Sequence, residues 1–425
     1  MSDFTFEPKV RGSEIRCKLF AFHSLQRGPI MDAFTKPFTQ QEPLPEAAIE
    51  AAVAVMRTGR LHRYNVVEGE VAETALLEQE FAASLGVPYC LATASGGTAM
   101  QIALVACGVA PGDAVLTNAF TLSPVPGAIH GVGGKLVIVE TTENLTIDFA
   151  HLEAQAKASG AKFLLISHMR GHLADMEALV SLCDRLGLTL IEDCAHTMGG
   201  AWKGKASGTF GKAACFSTQT YKHINSGEGG FVTTDDADVM ARSIIRSGSY
   251  MLYDRHLAGP GAEAFADARL DMPNCSSRMD NLLAAMLRPQ LADLAAQVAR
   301  WNERYAALQD GLRSAQGLRL RETPNEETHV GSSIQFMAPE MAADQVQPFI
   351  AACAARGVEL KWFGAAEPHG YTSNHTSWRY AGWQEAPNTD RILSRLFDMR
   401  IPLTFTVDDC RQIAGIVSTV AAEHR

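Results

Sequence analysis

The apolar residues of this chain fall into short runs separated by stretches with helical spacing. Tyr89-Cys90-Leu91-Ala92 is the first run, and it leads through Ser95-Gly96-Gly97 into a helix predicted over 98–107. Runs at 114–116, 135–139, 163–166, 188–191, 213–216 and 230–233 repeat the theme, with helices predicted near 152–158 and over 176–186. Continuous apolar runs, unlike alternating ones, suit strands buried on both faces. A mostly parallel sheet covered by helices on each side is therefore expected.

Ahead of this series, Pro43 and Pro45 open an Ala-rich helix that Thr58-Gly59 closes, and 72–85 has helical spacing. After it, a long helical pattern over 278–312, marked by Met286, Leu291, Leu294 and Trp301, reads as one connecting helix. Strands are predicted at 333–336, 358–362 and 400–403, and helices at 346–355 and 410–421, which make a smaller α+β domain. Residues 1–37 show no period and read as an N-terminal arm. The expected division is thus an arm (1–37), a large α/β domain (38–290) and a small C-terminal domain (291–425).

The 425 residues are 47% hydrophobic and 20% charged, ordinary globular usage, so disorder and coiled coil are excluded. A net charge of −10 repels phosphate backbones, and no basic patch offsets it, so no nucleic-acid partner is expected. The most apolar stretch, 102–110, is too short to span a bilayer, and the N-terminus lacks a signal-peptide pattern. Nine scattered cysteines without a CxxC pair fit reduced core thiols. A cytoplasmic protein with no membrane partner is the expectation.

In open α/β sheets, ligands bind beyond the carboxyl ends of the strands. Three such ends carry unusual residues. Ser95-Gly96-Gly97-Thr98 opens a helix, where backbone N–H groups and the helix dipole suit a phosphate; the alternative is a tight connection with Thr98 as N-cap. Asp193 follows the run ending at Ile191, where it either serves a ligand or caps a turn. Lys222 lies in a loop ahead of the Gly-rich 225–230 and taken alone reads as solvated. Together the three meet the needs of pyridoxal phosphate (PLP): a phosphate cradle, a lysine for the Schiff base and proton shuttling, and a carboxylate for the pyridine nitrogen. Opposite charges about 4 Å apart gain about 4 kcal/mol at a dielectric of 20, enough to keep that nitrogen protonated near neutrality. Ser217 adds a hydroxyl for the phosphate.

Gly199-Gly200-Ala201-Trp202-Lys203-Gly204-Lys205-Ala206 nearly matches a nucleotide-binding P-loop, but Ala206 replaces its Ser/Thr and no strong strand precedes it, so it reads as a polar turn. No GxGxxG occurs in the first strand–helix unit. His168, His172 and His196 have no familiar ligand spacing, so no metal site is expected.

Ser95-Gly-Gly-Thr98, Ile191-Glu-Asp-Cys-Ala-His196, Phe216-Ser217 with Lys222, Gly227-Glu-Gly-Gly230 and Ser277-Arg-Met-Asp280 occur in this order. As a set they resemble the DegT/DnrJ/EryC1/StrS family of fold-type-I PLP enzymes, mostly aminotransferases of keto sugars, from about residue 38 to the end. The resemblance implies a homodimer with active sites shared at the subunit interface. It places Lys222 at the Schiff-base lysine, Asp193 at the pyridinium partner and His196 beside the cofactor's phenolic oxygen. Gly97, Thr98 and Ser217 match phosphate-binding positions.

Three departures stand out. Leu122 occupies the usual position of the ring stacked on the cofactor, so either aliphatic contact replaces stacking or Phe120 serves by a local shift. Ser276 replaces an Asn that reaches the partner's phosphate. Arg170 stands where an aromatic or aliphatic residue is common; it binds an anionic substrate group or forms a loop-end salt bridge. The function these features imply is ping-pong transfer of an amino group from a glutamate- or glutamine-type donor to a keto sugar or nucleotide-linked keto sugar. A non-sugar ketone or keto acid as acceptor, or a non-catalytic PLP-binding regulator, is the alternative.

Overall fold

The computed structural model describes residues 33–369 and 374–424. The predicted arm therefore lies outside the described residues except for its last few positions, as does Cys17. Seven strands form the main sheet: β1 (Tyr89–Thr93), β2 (Ala114–Asn118), β3 (Lys135–Val139), β4 (Phe163–Ser167), β5 (Thr189–Asp193), β8 (Ala213–Ser217) and β9 (Gly230–Thr234). Their order is β1-β9-β8-β5-β4-β2-β3. Only β9 runs against the rest: it pairs antiparallel with β1 and β8, while the other pairs are parallel.

Both faces of the sheet are covered, which is why its strands are apolar throughout. On β4, Leu165 faces a cluster with Leu91, Ala103 and Ile244, whereas Leu164 and Ile166 face another with Leu152, Leu179 and Leu182. The helices behind these clusters begin with ordinary caps. Asp148, Asp175 and Asp236 each accept a bond from a backbone N–H of the first turn.

Between β5 and β8, β6 (Ala201–Trp202) and β7 (Lys205–Ala206) form a hairpin, to which β11 (Glu327–Thr328) adds. Lys203 and Gly204 both have positive φ (49° and 78°), as a two-residue I′-type hairpin turn requires. The P-loop-like segment is thus a tight turn, as its residues suggested, and carries no helix start for a phosphate.

The C-terminal part holds a four-stranded sheet ordered β10 (Arg319–Leu320), β12 (Ser333–Met337), β14 (Leu396–Arg400) and β13 (Lys361–Trp362). Two expectations fail here. The helix predicted as continuous over 278–312 is two helices, Asn281–Ala292 and Leu294–Arg313, broken at Asp293 (φ −99°, ψ 2°) shortly after Pro289, which has no N–H to give. The strand predicted at 400–403 lies earlier and ends at Arg400, since Pro402 has no N–H for a ladder. Phe34 and Phe38 pack edge-on against Phe405, so the chain already joins this C-terminal core at residue 34.

Candidate active site

Because β1, β2, β4, β5 and β8 point the same way, their carboxyl ends meet along one edge of the sheet. A cavity of about 400 Å³ opens there, walled also by Trp301, Ser332 and Arg400 from the C-terminal part.

The end of β1 turns into the Gly96–Ala106 helix. Ser95, not Thr98, is its N-cap: the Ser95 hydroxyl accepts from the Thr98 N–H at 3.0 Å and meets the Thr98 hydroxyl at 2.8 Å. The helix thus starts two residues before the prediction, because an extended Ser caps better than an interior Thr. Ser95, Gly96 and Gly97 line the cavity, whereas Thr98, expected at the phosphate, is not among its lining residues and its hydroxyl meets that of Ser95. Two glycines make this packing possible. A Cβ on Gly96 would lie 2.8 Å from the Ser217 Cβ, and one on Gly230 would lie 2.5 Å from the Phe216 oxygen and 2.8 Å from the Gly96 nitrogen. The helix N-terminus therefore rests directly on the ends of β8 and β9, and Ser217 also faces the cavity.

Asp193 ends β5, beside Ser167 of β4 in the register. Its carboxylate is fixed from both sides: Oδ2 accepts from the Ser167 hydroxyl at 2.8 Å and Oδ1 from the Ala195 N–H at 3.1 Å. The preceding Glu192 points through the other face, as strand alternation demands. There it accepts from His168 and from the Gly208, Phe210 and Gly211 N–H groups. Burial pushes the Glu192 pKa up, but these partners outweigh it and hold it below the usual range. Adjacent acids thus have separate roles, one facing the cavity and one bracing the fold.

Lys222 leaves the end of β8 through a loop that the Thr218–Ser226 hydroxyl pair (2.7 Å) and a Thr220 N–H to Gly227 oxygen bond (3.2 Å) draw together. Its Nζ reaches the His196 Nε2 at 2.8 Å. Burial lowers the Lys222 pKa to about 7; Asp193 opposes the shift, and Arg170, Arg400 and Lys361 reinforce it. Burial, then the Lys222 and Arg170 charges, push His196 well below its usual value, so the imidazole is neutral. Near neutrality the pair is an amine poised between its two protonation states beside a neutral ring.

Arg170 is buried, lies on the cavity wall and gives Nη2 to Asp398 Oδ2 at 2.7 Å. The salt-bridge alternative is therefore present, while Arg170 also lies on the cavity wall. Its φ of 58° places it in the left-handed region, a strained position for a residue other than glycine. Leu122 lines the cavity, while Phe120 is turned away, edge-on to Phe363 at 5.1 Å. Of the two possibilities for the missing ring, aliphatic contact is the one this arrangement favours. Ser276 is exposed and gives both N–H and hydroxyl to Asn274, a side chain two residues away that the sequence did not single out.

The three histidines do not converge. His168 pairs with Glu192, His172 stacks on His329 and His196 meets Lys222. Ser167 and Arg400 were missed; the first stands at the end of β4, where the same positional rule finds it, whereas nothing local in the sequence marks Arg400. The eight cysteines among the described residues are all free thiols, and only Cys275 is exposed. No helix among the described residues is long and apolar enough to cross a membrane.

A cavity at the strand ends of an open α/β sheet, with lysine, carboxylate and helix N-terminus converging on it, is the architecture of fold-type-I aminotransferases, and the overall fold agrees. The 3-amino-5-hydroxybenzoic acid synthase structure superposes with a TM-score of 0.77 at 23% identity, covering 92% of this chain and 100% of that one. The profile of the DegT/DnrJ/EryC1/StrS aminotransferase family matches residues 45–418, and the chain belongs to that family. An L-glutamine:2-deoxy-scyllo-inosose aminotransferase of Streptomyces lividus is 34% identical over 284 residues, 66% of this chain and 66% of that protein. The match thus spans just under two thirds of that relative's length. A pleiotropic regulatory protein of Geobacillus stearothermophilus is 31% identical over 321 residues, 73% of this chain and 78% of that one.

Proposed function

We propose that this protein is a PLP-dependent aminotransferase that moves an amino group from L-glutamine or L-glutamate to the ketone of a sugar or cyclitol, in two half-reactions. The observation that carries this reading is the half-buried Lys222 amine, lowered to about 7, sharing one cavity with the braced Asp193 carboxylate.

The residues fit the cofactor. Gly96 and Gly97 at the helix N-terminus, with the Ser217 hydroxyl, would hold the phosphate. Asp193, kept rigid by Ser167 and Ala195, would hold the pyridine nitrogen. Leu122 would contact the ring. When bound, PLP supplies an aldehyde that takes up amines and a ring that withdraws electrons from the adjacent carbon. Lys222 then moves the proton: an amine that gains and loses it near pH 7 suits general acid–base work. His196, neutral and 2.8 Å from Nζ, orients that amine.

The 38–290 part carries these groups, and the 291–425 part closes the cavity with Trp301, Ser332 and Arg400. A homodimer completing the site is part of the proposal. Supporting it, the apolar side chains of Met56, Leu61, Val67, Val71, Tyr250 and Met251 are exposed. The segments that bear Leu61 and Tyr250 both meet the 274–281 segment. A cytoplasmic location is the corresponding expectation.

The test is optical. Protein loaded with PLP should be yellow, lose that colour with L-glutamine and regain it with a keto cyclitol such as 2-deoxy-scyllo-inosose. A yellow protein that no amino donor changes would favour a regulatory role like that named for the Geobacillus relative. A colourless one would end both readings.

A further inference from the structure

Lys222 and His223 are neighbours in the chain but turn their side chains different ways. The lysine meets His196, whereas the His223 ring turns to the C-terminal part, where its Nε2 lies 3.2 Å from the Ser332 hydroxyl oxygen. His223 is buried and packs edge-on against Trp301, with ring centroids 5.3 Å apart. Its Nδ1 is buried and has no hydrogen-bond partner among the described residues. Ser332 precedes β12 and is fixed by its backbone: its N–H gives to the Val330 oxygen at 2.9 Å, and its carbonyl accepts from the Ile401 N–H at 3.0 Å. The Ile401 carbonyl in turn accepts from the Trp301 indole N–H at 3.0 Å. Ser332 and Trp301 thus make one braced stretch of the cavity wall.

Burial, reinforced by the Lys222 charge, lowers the His223 pKa to about 3, so the ring is neutral and carries one proton. With that proton on Nδ1, a buried N–H would find no acceptor, which folded proteins rarely tolerate. With it on Nε2, only a lone pair is left unmatched. The second tautomer is therefore favoured, and Nε2 donates to the Ser332 oxygen. A hydroxyl that accepts from His223 keeps its own hydrogen for another partner. Among the described residues the Ser332 hydroxyl has no second partner, and Ser332 lies on the cavity wall. Trp301 beside it gives its N–H to Ile401 and so offers the cavity only carbon. A ring bearing oxygens suits that pairing: its C–H groups meet the indole, and one of its oxygens takes the hydroxyl hydrogen.

We infer that Ser332 is a substrate-binding residue that donates a hydrogen bond to an oxygen of the ketone acceptor, and that His223 is the positioning residue that aims its hydroxyl. The identity of the ligand rests on the aminotransferase reading; the pairing of hydroxyl and imidazole does not.

For the test, PLP-loaded protein is faded with L-glutamine, and colour recovery is followed over a range of 2-deoxy-scyllo-inosose concentrations. In Ser332→Ala the half-saturating concentration should rise about three- to tenfold, as loss of one uncharged hydrogen bond predicts, with the limiting rate within about twofold of the parent. His223→Leu should do the same, and S332A combined with H223L should be no worse than S332A alone, since the ring acts only through the hydroxyl. If H223L takes up no cofactor, His223→Asn, whose shorter amide falls short of Ser332, replaces it with the same expectation. His223→Gln, whose amide nitrogen stands in for Nε2 as donor, should restore the parent value. Fading with L-glutamine should keep its half-saturation in S332A. Unchanged recovery in S332A, an equal shift for L-glutamine, additive losses in the double variant or no rescue by H223Q would overturn the inference. A parent protein that does not fade with L-glutamine refutes the aminotransferase reading instead. The subsite is then judged by calorimetry with scyllo-inositol, an unreactive cyclitol, whose affinity should fall about three- to tenfold in S332A. No binding to the parent, or no fall in the variant, would end the subsite as well.

Discussion

Replacing Lys222 by Met in the cofactor-free protein removes an amine that the fold holds at about 7, against an ordinary 10.5. That difference corresponds to about 5 kcal/mol between the protonated and neutral forms. Part of the side chain opens to the cavity, where water screens it, so an effect of about 1–3 kcal/mol is expected. The direction is fixed by linkage. The unfolded chain keeps its proton up to 10.5 while the folded protein sheds it at about 7, so the fold is penalised fully below 7 and is relieved as pH rises between the two values. Urea unfolding of both cofactor-free proteins from about pH 6 to about pH 10 measures this. The Met variant should be the more stable at neutral pH, with its advantage shrinking by about 1–3 kcal/mol toward pH 10. An advantage that stays constant or grows with pH would refute the claim that the half-buried Lys222 amine is depressed.

Gly96→Ala should lower PLP affinity at least tenfold and cost about 1–3 kcal/mol of stability, because its Cβ lands 2.8 Å from that of Ser217; fluorescence titration and urea midpoints read both. Glu78 is buried, bonded by two oxygens to Arg63 (2.8 and 2.9 Å), and accepts from the Ala92 N–H of β1 at 2.8 Å. Burial pushes its pKa up, but Arg63 and His256 prevail and hold it at about 2. Its contribution is therefore present above pH 4.5 and lost as pH falls toward 2, and Glu78→Gln should cost about 3–5 kcal/mol at neutral pH by leaving Arg63 uncompensated. An acid-unfolding midpoint unmoved by that substitution would contradict this.

The main sheet was legible because its strands are buried on both faces and therefore stand out as apolar runs; 135–139 and the 176–186 helix have the same limits in sequence and structure. Asp193 could be placed because a carboxylate two residues past the end of such a run falls at the strand's end. Elements that break the apolar rule were missed. The Pro124–Gly131 helix contains Pro124, Pro126 and Gly127, poor helix formers that tertiary packing overrides. Strand β14 carries Asp398 and Arg400 inside it, so its apolar run looked shorter and later than it is. The ion pair between Arg170 and Asp398 joins residues 228 positions apart, and no local pattern could announce it. Nor could sequence spacing decide between Leu122 and Phe120, since the choice depends on Phe363 providing a partner for the latter.

The covalent role proposed for Lys222 is tested most directly by borohydride reduction of the PLP-loaded protein, followed by proteolysis and mass mapping. The pyridoxyl mass should appear on the peptide containing Lys222 and vanish in the Lys222→Met variant. Its appearance on another lysine, or on none, would contradict the account.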